Sequence, residues 1–134
     1  DRAVEYVEEV GYPAEYFEAI HHAIEAHSFS AGIETRTLEA RVLQDADRLD
    51  ALGAVGLSRC LMLGGYMGSE LMSRVDPFCK FREPEDAKFA VDHFYGKLLR
   101  LENTMKTTAG RALATERTDF LREFLEQLRR EVPS

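Results

Sequence analysis

Along much of this chain apolar residues recur at intervals of three and four, the period of helices that bury one face. In DRAVEYVEEVG, the positions Ala3, Val4, Val7 and Val10 predict a first helix that Gly11 ends. Pro13 opens a second where a missing N–H costs nothing, and Phe17, Ile20, Ile24 and His27 share one of its faces. SFSAGIETRT reads as a loop. From about Thr37 one long helix is expected. It carries Leu38, Val42, Leu49, Leu52 and Cys60 on one face and Leu43, Ala54, Leu57 and Leu61 on another. Two apolar faces predict a central helix, buried on most sides, with LGGYMG stopping it or its continuation.

DPFCKFREPED is an irregular connector. Pro84, followed by two acids, predicts a helix whose stripe is Ala87, Val91, Phe94, Leu98 and Leu101. Asn103 is the expected cap of a last helical region ending near Val132, with Leu121, Phe124, Leu125 and Leu128 inward. No period-two run of β-branched residues exceeds a few positions, so the expected class is all-α, in a single domain over residues 1–134.

Composition narrows the function more than the fold. Apolar residues are 45% of the chain and the net charge is −7, with bases scattered among the acids. That argues against nonspecific binding to nucleic acid or an anionic membrane, and leaves a small phosphorylated ligand open. Cys60 and Cys79 follow no metal-binding spacing and read as free thiols. No apolar run approaches the roughly 18 residues of a membrane span, so a cytoplasmic protein is expected. The chain starts at Asp1, without Met, inside a helical pattern, and an N-terminal portion is expected to be missing.

Three acids, Asp45, Asp47 and Asp50, interrupt the otherwise apolar pattern of LQDADRLDALGAVGLSR. Helical geometry sets Asp45 and Asp47 about 160° apart, so a straight helix cannot aim both at one site. Acids on a half-buried face point to a metal ion, an arginine partner or a capping role, and residue types alone favour the arginine pair.

This segment, with IHHAIEAHSFS before it and DHFYGKLLRLENTMKTTAGRALATERTDFL after it, resembles the HD-domain metal-dependent phosphohydrolases. Within them it is similar to a group of small bacterial, YedJ-like members. The resemblance implies an HD-domain-like helical bundle, here incomplete at its N-terminus. It implies a divalent metal (Mn, Mg, Fe, Co or Ni) held by a His, a His-Asp doublet and a later Asp. Asp47 matches that last acid, and Arg48 matches a basic residue facing the substrate phosphate. Asp45 and Asp50 would brace the helix or orient neighbours. No His-Asp doublet stands in this chain; the reversed pair Asp92-His93 is the only acid–histidine neighbour. The resemblance places the missing ligands upstream of Asp1.

His22 and His27, five apart, are poorly spaced for one metal. The resemblance puts both near the phosphate or the metal-bound water, while the plain reading of His27 is a helix-terminal residue bonding the last carbonyls. His21 is expected at the surface and His93 packed in a helix. Lys97, Arg111 and Arg117 could meet an anion, but solvated faces pairing with acids are the simpler reading. Gly64, Gly65 and Gly68 lack the strand and the Gly-Lys-Ser/Thr of a phosphate loop.

The implied activity is hydrolysis of a phosphomonoester or nucleotide by metal-activated water, with this chain inactive alone because the upstream ligands are absent. The alternative is a noncatalytic helical binding or regulatory module. The expected partner is a small phosphorylated substrate, a nucleotide among the candidates, with no nucleic acid and no membrane. A homo-oligomer is compatible with either reading.

Overall fold

In the computed structural model, which describes residues 2–28 and 31–132, the long helix expected from about Thr37 is interrupted at Leu52 and Gly53. Leu52 is extended (φ −111°, ψ 167°) and Gly53 takes a left-handed φ of +70°, a conformation that favours glycine. The break resets the helical phase, so the two apolar faces drawn through it do not exist as such. Leu38 is 64% exposed, and Val42, Leu43 and Val55 are exposed too. The expectation of a buried central helix is therefore corrected.

The chain divides into two compact units, Asp1–Arg48 and Leu49–Ser134. Residues 1–48 hold 11 acidic and 4 basic side chains, whereas residues 49–134 hold 13 of each. No lysine or arginine stands between Arg2 and Arg36.

The first unit contains α1 (Arg2–Glu9), a 3-10 turn (Ala14–Tyr16), α2 (Phe17–Ala26) and most of α3 (Leu38–Asp50). Gly11, at φ +73°, follows α1, and Pro13 precedes the 3-10 turn that leads into α2. α1 packs on α2. Phe29 and Ser30 of the expected loop lie outside the described residues. Thr37 starts α3: its Oγ1 accepts the Ala40 N–H at 3.2 Å. Small buried residues, Ala23, Ala26 and Ala40, occupy the interior here. Gln44 Nε2 donates to Ala26 O at 2.7 Å, which ties α3 to the end of α2.

In the second unit α4 (Gly53–Tyr66) packs against α6 (Thr108–Glu131). α4 runs through Gly64 and Gly65 and stops at Gly68 (φ +78°), where Ser69 N–H returns to Gly64 O at 2.9 Å. Between them, a π-helical turn (Phe94–Leu98), α5 (Leu99–Leu101) and a 3-10 turn (Glu102–Thr104) follow one another. Leu52, Val91, Phe94, Leu98, Leu121 and Leu125 form the centre of the core, with Phe94 and Phe124 stacked at 5.9 Å. No strand occurs among the described residues, and the fold is all-α. No helix among them is long and apolar enough to cross a membrane.

Two further expectations change. Pro84 does not open a helix: Glu85 N–H donates to Asp92 Oδ2 at 2.7 Å, and Glu70 pairs with Phe89 in an isolated bridge. Helical winding serves the core only from Val91 onward. Asn103 is not the last cap either. Thr107, extended at φ −104° and ψ 155°, accepts the Gly110 N–H at 2.9 Å and starts α6.

The connector before Val91 is held by charge. Asp92 is 0% exposed and takes both guanidinium ends of Arg82, with Nη2 to Oδ1 at 2.8 Å. Arg82 also donates to Asp76 O, and its guanidinium lies 5.0 Å from the Phe89 ring centroid. Burial pushes Asp92 up, but Arg82, the Glu85 N–H and the Cys79 thiol outweigh it and leave the carboxyl below its usual range.

Burial and then Asp92 push the Cys79 thiol up to about 11, and burial with Asp86 also raises Cys60. Both are free cysteines. Since the thiolate is the nucleophile, both are expected to react slowly with a disulfide reagent at pH 8 and at once in denaturant. Rapid native labelling of either would show that its thiol is not shielded.

Candidate metal and phosphate site

On α3 the side chains turn inward at Ala40, Gln44, Asp45 and Arg48. Asp45 is 2% exposed, and Arg48 is buried beside it. Asp47 lies on the exposed side of the helix, as does Asp50. Among the three acids the structure thus separates one committed to the interior from two open to solvent. Asp50 is in turn engaged by Arg59 in an exposed ion pair. Asp47 presents its carboxylate outward near the end of α3.

Arg48 sits in the field of two acids. Burial lowers its pKa, while Asp45 and then Asp47 oppose that effect. A guanidinium remains charged at any working pH, so its buried charge needs these neighbours. Gln44 Oε1, also buried, has no hydrogen-bond partner among the described residues.

The histidines of α2 differ in what they do. His22 is buried and Nε2 accepts the Arg36 backbone N–H at 3.0 Å, which fixes the neutral ring with the proton on Nδ1. Nδ1 itself lies 3.5 Å from Arg36 Nη2. With the proton on Nδ1 two donors face each other there, so it is the Nε2 bond by which His22 anchors the loop leading into α3. His27 follows the last turn of α2, and its Nδ1 bonds Ile24 O, the helix-terminal role of the plainer reading. That bond leaves the lone pair on Nε2. His21 pairs with Glu25 at 3.3 Å, and His93 Nδ1 lies 3.1 Å from Asp86.

The other basic candidates are spread apart. Arg117 donates to Leu49 O at 2.7 Å and Arg111 to Met105 O at 3.4 Å, both structural bonds. Lys97 stands half-buried on the π-helical turn. Among the described residues no three His, Cys, Asp or Glu side chains converge on a point where a metal ion could be held. The residues present do not fit a complete metal site: Asp47 supplies one open carboxylate, and His22 is turned to Arg36. Sequence reasoning missed the Arg82–Asp92 pair. Its signal was Asp92, the one acid in the stretch from Val91 to Leu101.

A sequence profile of the HD domain matches residues 1–52. The uncharacterized protein YpgQ of Bacillus subtilis is 40% identical over 100 residues, which cover 75% of this chain and 43% of that protein. The crystal structure of Bacillus subtilis YpgQ in complex with ADP superposes with a TM-score of 0.80 at 32% identity, covering 99% of this chain and 61% of that one. An HD-superfamily hydrolase from Bacillus thuringiensis gives a TM-score of 0.76 at 31% identity, covering 97% and 60% respectively. The chain thus spans less than half of the curated relative and about three fifths of these solved structures.

Proposed function

Since the chain belongs to the HD-domain superfamily, we propose that it forms part of a metal-dependent phosphohydrolase acting on a phosphomonoester or nucleotide. The observation that carries this reading is the disposition of the acids on α3: Asp45 inward, Asp47 outward. A metal ligand must offer oxygen where an ion can reach it, and Asp47 meets that condition while Asp45 does not. His27 keeps a lone pair on Nε2 suited to a proton or a ligand, whereas His22 would first have to release Arg36. ADP, bound in the Bacillus subtilis relative, supports a nucleotide among the substrates to test.

The reading has a direct consequence for the 134-residue chain by itself. It is expected to bind Mn weakly and to hydrolyse no phosphomonoester or nucleotide at an enzyme-like rate, since an incomplete ligand set holds metal poorly. Calorimetric titration with Mn and a phosphate-release assay check this. Tight binding with turnover would show that these residues suffice without further ligands.

A second reading, a noncatalytic helical module, is favoured by Val55, Met62, Tyr66 and Met67, all exposed on or just after α4.

A further inference from the structure

Between α4 and the π-helical turn, the connector meets the end of α6 around a cleft of about 740 Å³. That volume lies within the roughly 300–1,000 Å³ of small-molecule sites. Met72, Pro77, Phe78 and Val132 supply apolar lining, and the Arg129 guanidinium lies 4.9 Å from the Phe78 ring centroid. Val75 and Phe81 also line the cleft, yet they are 95% and 92% exposed. Large apolar side chains held in water beside a cleft mark a surface that something else covers.

Charge says what that is. Arg74, Lys80 and Arg129 all line the cleft, against one acid, Asp76. Asp76 is buried and already occupied: Oδ1 accepts the Lys80 N–H at 3.0 Å and Oδ2 the Phe81 N–H at 2.7 Å. These two bonds hold its carboxyl below the usual range, so its charge is spent on shaping the loop. Arg129 is paired with Glu126 at 3.3 Å and bonded to Tyr95, which leaves Arg74 and Lys80 as the cations facing the apolar wall, in a part of the chain with no net charge of its own.

From this we propose that the cleft binds a small amphiphilic anion: a flat apolar body carrying one carboxylate, phosphate or sulfonate. The body would lie across Phe81 and Val75 and remove them from water, while the head pairs with Arg74 or Lys80. None of these residues belongs to the candidate metal site.

Fluorescence titration of the full-length protein with 8-anilinonaphthalene-1-sulfonate tests this, beside the neutral N-phenyl-1-naphthylamine. The variant carrying Arg74→Gln and Lys80→Gln keeps the Asp76 bonds, because Lys80 makes its bond through the backbone. It is expected to bind the sulfonate roughly tenfold more weakly, as loss of charged hydrogen bonds implies, with the neutral dye unchanged. Phe81→Ser should weaken both dyes, with circular dichroism unchanged. Equal affinity of wild type and charge variant for the sulfonate would overturn the proposal. So would sulfonate binding that survives Phe81→Ser, or recruitment by vesicles of phosphatidylglycerol and phosphatidylcholine without binding of the free dye.

Discussion

On the proposed function, Asp47→Ala is expected to abolish metal content and phosphatase activity in any form of the protein that retains metal, while the helical fold persists. Asp47 is exposed on α3, so its removal opens no cavity, and Asp45, the larger of the two acidic influences on buried Arg48, stays in place. Asp45→Ala should do the opposite. Asp45 is buried in the same inward face as Arg48, and deleting it leaves the guanidinium less compensated. A cost of about 1–3 kcal/mol or more in stability follows for a buried charged group that loses its support, with metal retained in the folded fraction. Elemental analysis, a phosphate-release assay and urea midpoints on both variants separate the two. Loss of metal from Asp45→Ala with retention in Asp47→Ala would place the ligand on the other side of the helix.

The second large effect concerns Asp92. Breaking a buried ion pair from one side costs about 3–5 kcal/mol, because the partner is left charged and unpaired. Asp92→Ala is expected to fall in that range, since the Arg82 guanidinium and the Glu85 N–H both lose their acceptor. The same carboxyl has a depressed pKa in the folded state. Its contribution is therefore present above the unfolded value of about 3.9 and lost as pH falls through the lower folded value. Wild-type stability should decline with acid below about pH 4 more steeply than that of Asp92→Ala. Parallel urea midpoints from pH 7 to pH 2 measure it, and identical slopes would show that the pair carries no linked proton.

What the sequence made legible depended on whether the cause was local. The end of α1 follows from Gly11, Pro13 opens only the 3-10 turn from which α2 starts at Phe17, and the inward face of α6 follows from the period of Leu121, Leu125 and Leu128. The break at Leu52 was not readable, because LGAVG keeps a helical period in small and apolar residues. Nothing in that pattern reveals a left-handed φ at Gly53. Pro84 with its two acids carried a genuine start signal, overridden by the bonds of Asp92 and by pairing with Glu70. Asn103 and Thr107 are both capping types, and only the folded backbone selects Thr107. At the site, the opposition of Asp45 and Asp47 was pure helical geometry. Which of them faces inward follows from Ala40, Gln44 and Arg48 sharing the buried side, and that depended on packing.

The uneven placement of charge bears on how ions approach α3. The whole excess of acid lies in residues 1–48, and the stretch from Ala3 to Thr35 has no lysine or arginine to offset its glutamates. Such a surface gathers cations and repels anions over a screening distance of about 10 Å at 0.1 M salt. Divalent cations are thus concentrated beside Asp47 before any binding event, while small anions of any kind are slowed in reaching it. Raising ionic strength evens out the two encounter rates, and it does so without altering a single contact inside the protein.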